Sequence, residues 1–98
     1  MISKDLIIKI KNWISSIAGV VDFKTLTKEN DIDFDNDGLV ITKNKKNKNL
    51  LDLCIGLIIL VNISAKNIVE EIYQIINYNL KDQDLKIGKI CVYIKGTK

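Results

Sequence analysis

The sequence predicts an α+β fold: two helices on one face of a three- to four-stranded sheet, in the order α-(β)-β-β-α-β. Three observations carry this. Leu51, Leu53, Ile55, Leu57 and Ile59 recur at every second residue, the period of one strand face. Two other segments repeat their aliphatic residues at three- and four-residue steps, the period of a helix stripe. A final alternating run, KIGKICVYIKG, supplies another strand close to the C-terminus.

The first helix is expected to start after Ser3, whose hydroxyl can cap it, and to gather Leu6, Ile7, Ile10, Trp13, Ile14 and Ile17 on one side. Ile8 is the misfit at the boundary of that stripe, and Gly19 supplies the permissive backbone that ends the helix. Val20 to Phe23 reads as a short strand, followed by the polar loop LTKENDIDFDND. Gly38 to Lys43 reads as a strand, Asn44 to Asn49 as a solvated connection, and the second arm of that hairpin starts near Leu50. The apolar run from Leu50 to Ile63 is 14 residues long and contains Asp52 and Asn62. A membrane-spanning helix needs roughly 20 apolar residues, so the run is expected to be a buried strand. The second helix follows Ser64 and buries Ile68, Ile72, Ile75, Ile76 and Leu80, with Lys66, Glu70, Glu71, Gln74 and Asn77 in water. In the last strand Ile90, Val92 and Ile94 take the core face, and Lys89, Cys91, Tyr93 and Lys95 point away.

The chain has 98 residues, which suits a single domain over 1–98. A hydrophobic share of 47% with 28% charged residues is that of a globular protein. All 15 basic residues are Lys, and there are 19 Ile and 10 Asn. This bias is the mark of a very AT-rich bacterial genome, such as a mollicute's, so the Lys content overstates any selected basic surface. The net charge of +3 is far from that of a dedicated nucleic-acid binder. The apolar residues near the N-terminus are interrupted by Lys4, Asp5, Lys9, Lys11 and Asn12, so no secretory signal is expected. Cys54 and Cys91 lack metal-ligand spacing and read as reduced cytoplasmic thiols.

Two helices cover one sheet face. The other face, with Cys54, Gly56, Ile58, Leu60, Cys91 and Tyr93, is expected to stand half bare as an interaction surface, unless the 20–37 segment covers it. Ile58, Leu60 and Tyr93 are the expected contact residues.

The order of these pieces resembles the alkaline shock protein family, small envelope stress response proteins of Gram-positive and related bacteria. Ile17-Ala18-Gly19-Val20-Val21 is similar to its first helix and Gly-Val step, and Gly38-Leu39-Val40-Ile41 to its glycine-led strand. Leu51-Asp52-Leu53-Cys54-Ile55 resembles its Val-Asp-Leu strand, Asn67 to Ile72 the start of its second helix, and Asp84 to Gly96 its closing strand. The resemblance implies a non-catalytic cytoplasmic protein that associates with itself or with a membrane-anchored protein partner at the inner membrane face, without inserting into the membrane. It further implies a link to cell-envelope homeostasis and a functional connection to a fatty-acid kinase.

Other chemistry is less well supported. Asp33, Asp35 and Asp37 with Gly38 have the D-x-D-x-D-G opening of a calcium loop, but the twelfth position is Asn44 and no helix pattern follows. An acidic loop entering a strand is the preferred reading, so no metal and no cofactor are expected. Glu70 and Glu71 diverge by about 100° on a helix and cannot face each other across a substrate. With no His and no nucleophile–base pair, the chain is not expected to be an enzyme. The alternative to a protein-interaction role is a small nucleic-acid-binding module of the KH type, using the loop lysines Lys43, Lys45, Lys46 and Lys48. The G-x-x-G of that module is missing, which makes nucleic acid the less favoured partner.

Overall fold

The computed structural model describes residues 2–98. It runs through helix α1 (Lys4–Ser15), strand β1 (Val20–Phe23), a loop with one 3-10 turn at Lys28–Asn30, strands β2 (Leu39–Lys43) and β3 (Leu50–Ile59), helix α2 (Ala65–Leu80), a 3-10 turn at Lys81–Gln83, and strand β4 (Lys86–Thr97). The α+β order expected from the sequence is the order observed.

Both helices start at their serine caps. Ser3 Oγ accepts a hydrogen bond from Leu6 N at 3.2 Å, and Ser64 Oγ accepts one from Asn67 N at 3.3 Å. Gly19 follows α1 with φ +99°, in the left-handed region that glycine tolerates. A Cβ there would lie 3.0 Å from the Ile63 side chain, so a side chain would be strained in its backbone and tight against its neighbour.

Strand β3 is the spine of the sheet. Along one side β4 runs parallel to it, from Leu50 opposite Lys86 to Ile59 opposite Thr97. Along the other side two short strands share the edge end to end, both antiparallel: β2 against Leu51–Ile55 and β1 against Leu57–Ile59. The sheet is therefore mixed, with α2 as the crossover that a parallel β3–β4 pair requires. Leu51, Leu53, Ile55, Leu57 and Ile59 are buried on one face beneath Leu6, Ile10, Ile14 and Ile17 at the α1 end and Ile68, Ile72, Ile76 and Leu80 of α2. Burying each such side chain stabilises the fold by roughly 1.5–3 kcal/mol.

Three details differ from expectation. Strand β3 ends at Ile59, four residues before its apolar run does. There the chain turns: Leu60 N donates to Gly19 O at 2.9 Å, Val61 N to Lys98 O at 2.7 Å, and Asn62 takes φ +70°. Ile75 is half-buried rather than buried, and Ile94 is exposed. Ile94 lies on the edge strand, where only one side of the side chain has a strand neighbour.

Candidate functional site

The outer face of β3 carries Asp52, Cys54, Gly56 and Ile58, and each is accommodated differently. Gly56 lies at the centre. Its carbonyl accepts from Lys24 N at 2.9 Å as the chain leaves β1, and its N–H donates to Gly38 O at 2.8 Å as the chain enters β2. The loop between these points closes over the face. Leu26 is only 2% exposed, and a Cβ on Gly56 would lie 3.0 Å from its side chain and 2.2 Å from Lys24 O. Glycine is required here because the loop backbone occupies the place of a side chain.

Asn36 fixes both ends of this loop. Its Oδ1 accepts from Leu26 N at 2.8 Å and Gly38 N at 3.0 Å, and its Nδ2 donates to Leu26 O at 3.0 Å and Phe34 O at 2.9 Å. Across the sheet, Ile58 pairs with Gly96 although Leu57 pairs with Ile94, so Lys95 is the extra residue of a bulge. Lys95 Nζ reaches over to Asn30 Oδ1 at 2.9 Å. The face expected to stand half bare is thus crossed at its middle by the chain's own residues 24–37. Local periodicity could not show this, because the loop is polar and its buried apolar side chain, Leu26, is isolated in sequence.

Tyr93 stands beside Gly56 in register and is half-buried; its phenol is held above the usual range, first by desolvation and then by the nearby Cys91, Cys54 and Asp31. Ile58 is also half-buried, whereas Leu60, the third expected contact residue, is 45% exposed. Val61 and Ile63 beside it are 58% and 40% exposed. Together with Val21, whose neighbour Val20 pairs with Ile59, they form an apolar end where β3 stops. Sequence reasoning named Leu60 but placed Val61 and Ile63 inside a buried strand.

Cys54 and Cys91 are direct cross-strand partners, the former half-buried and the latter exposed. Burial, followed by the neighbouring Cys91 thiol, pushes the Cys54 thiol up, so it stays protonated at neutral pH and is a poor nucleophile. Asp33, Asp35 and Asp37 do not converge. Asp37 bonds to Lys11 Nζ at 2.5 Å, Asp33 lies 3.8 Å from Lys28 Nζ, and among the described residues no three carboxylate or thiol groups are grouped to hold a metal ion. Lys11 also sits 5.2 Å from the centre of the Phe23 ring, tying α1 to β1 and to the loop.

At the opposite end from Leu60, the β2–β3 connection presents Lys43, Lys45, Lys46 and Lys48, all exposed. Asn44 shapes it: Asn44 Oδ1 accepts from Lys46 N at 2.9 Å and Asn47 N at 3.2 Å, while its Nδ2 donates to Asp52 Oδ1 at 3.3 Å. The same Asp52 oxygen accepts from Lys89 N at 3.0 Å, at a bulge where Gly88 and Lys89 lie opposite one residue of β3. Asp52 therefore links the lysine loop to the start of β4, a role that its position in an alternating strand did not reveal.

Compared with protein-family models, curated proteins and solved structures, this chain matches none. No helix among the described residues is long and apolar enough to cross a membrane.

Proposed function

We infer that this chain is a non-catalytic interaction protein whose contact surface is the apolar end of the sheet. The observation that carries the reading is the exposure of Leu60, Val61 and Ile63 within one turn. A turn needs no aliphatic side chains, and clustered ones in water mark a surface that a partner covers. Ile58 leads into this surface from the outer face. Tyr93 belongs to its margin, half-buried beside Gly56.

The alkaline shock protein resemblance is retained as part of this proposal. The element order α1-β1-β2-β3-α2-β4 supports it, as does the position of Gly19 at the end of α1 and Gly38 at the head of β2. On this reading the protein works in the cytoplasm, held at the inner membrane face by a membrane-anchored partner and contributing to envelope homeostasis.

The test is a double substitution, Leu60→Lys with Val61→Lys, compared with the native chain by sedimentation equilibrium and by crosslinking in cells. Both side chains are exposed, so the fold should tolerate the change. Loss of self-association or of a specific crosslinked partner is the expected outcome. Unchanged behaviour in both measurements would remove this surface from consideration.

A further inference from the structure

Two segments that are distant in sequence, 43–52 and 81–89, meet at the basic end. Besides Lys43, Lys45, Lys46 and Lys48, the parallel pairing of β4 brings Lys86 opposite Leu50 and sets Lys89 beside Asp52, and the end of α2 delivers Lys81. All seven are exposed. They are nearly half of the chain's 15 lysines, so the basic residues are concentrated rather than spread evenly. Set against Asp52, Asp82 and Asp84, they leave this end four positive, while the whole chain is only +3. The remainder, including Glu29, Asp31, Asp33, Asp35 and Asp37 of the loop over Gly56, is one negative. Gly56 is six residues along β3 from Leu50, roughly 20 Å, so the two charge centres are well separated.

The lysines flank two open clefts on either side of the start of β3. One, of about 510 Å³, is lined by Lys43, Lys45, Lys46 and Lys89 with Thr42, Asn44 and the carboxylate of Asp52. The other, of about 600 Å³, is lined by Lys81 and Lys86 with Asn47, Asn49, Leu50, Leu85 and the carboxylate of Asp84. In each cleft the lysine ammonium groups outnumber the single carboxylate, and such an excess of cations attracts phosphate oxygens. We propose that this end docks the phosphate backbone of a nucleic-acid duplex without reading its sequence.

The occupant follows from what the site lacks. One exposed ring stands beside the site, Tyr78, with Lys81 Nζ 5.8 Å from its centre; neither 43–52 nor 81–89 adds a second on which successive unpaired bases could stack, nor an arginine to fork onto a base edge. A duplex presents phosphates in ordered rows and asks for neither. A lipid surface would be joined by apolar side chains entering the headgroup layer. Tyr78 beside Lys81 is the one large exposed ring in contact with these lysines, and no exposed aliphatic side chain lies within 43–52 or 81–89 among the described residues. The charge separation also orients an approaching polyanion toward this end. The inference is independent of the protein-contact reading, which concerns the far end of β3.

The experiment is a salt titration of the full chain against a fluorescent 20-base-pair DNA duplex, the same strand unpaired, and vesicles of phosphatidylglycerol. If roughly four to seven phosphates are engaged, log K should fall with log salt at a slope of about −4 to −6. Lys46→Gln with Lys89→Gln should reduce that slope by about 2, as should Lys81→Gln with Lys86→Gln. The control Lys24→Gln with Lys66→Gln should leave it unchanged, and all variants should keep the native melting curve. A flat salt dependence, an equal loss in the control, tighter binding of the unpaired strand, or preferential capture by the vesicles would each overturn the proposal.

Discussion

The two faces of β3 are closed by opposite means. On the inner face five aliphatic side chains meet two helices, and every position contributes the same kind of burial. On the outer face no two positions are treated alike: Asp52 bonds across a bulge, Cys54 faces a second thiol, Gly56 yields its place to a loop, and Ile58 is left partly open. A uniform face can be covered by any amphipathic helix of suitable length. A heterogeneous one needs particular residues at particular points, and it stops being covered where those residues stop. Both candidate surfaces lie at the ends of β3, beyond the reach of the loop.

Substitutions can sharpen this contrast. Gly56→Val should have the largest effect on the outer face, because even a Cβ would lie 2.2 Å from Lys24 O and the loop must be displaced. A loss of about 3 kcal/mol or more in a denaturant titration is expected, with faster amide exchange across residues 24–37 than in the helices. Leu26→Ala removes the loop's buried apolar anchor and should cost about 2–3 kcal/mol, the lower part of the range for a buried leucine, since the small cluster can partly collapse. If it cost less than Ile72→Ala by only a few tenths, the loop would be as integral to the fold as the helical core. Asn36→Ala deletes four side-chain hydrogen bonds at the loop's ends and should destabilise by about 1–2 kcal/mol, with proteolysis appearing first near Phe34, which is 61% exposed.

The smallest effect belongs to Asp37. Its hydrogen bond to Lys11 holds the carboxyl below the usual carboxylate range. A group lowered in this way stabilises the fold above the unfolded-state pKa, and that contribution is lost as the pH falls through the folded-state value. Asp37 is largely in water and Lys11 partly so, and solvent screens the pair, so the change should stay under about 1 kcal/mol. Asp37→Asn should therefore match the native chain in acid and fall slightly below it at neutral pH. A difference that grew toward acid would contradict this account.

Much of the molecule could be read locally. The serine caps, the aliphatic stripes of both helices and the inner face of β3 follow from periods of 3.6 and 2.0, which depend only on a residue's near neighbours. Ile8 was legible as a misfit for the same reason and is exposed. Of the candidate sites, the loop lysines and Leu60 were visible as exposed positions. The extent of either surface was not. Ile63 read as strand because apolar composition cannot mark where hydrogen-bonding partners run out, and β3 ends where antiparallel β1 begins beside it.

The sequence by itself determined which residues face the helical core and where the helices begin. The tertiary structure alone decided that Leu26 closes over Gly56, that Cys91 meets Cys54, and that Lys81, Lys86 and Lys89 join a loop some forty residues earlier. The physical reason is that side-chain period is a local property of the backbone, whereas strand partner, register and bulge position are chosen by pairing between segments far apart in the chain.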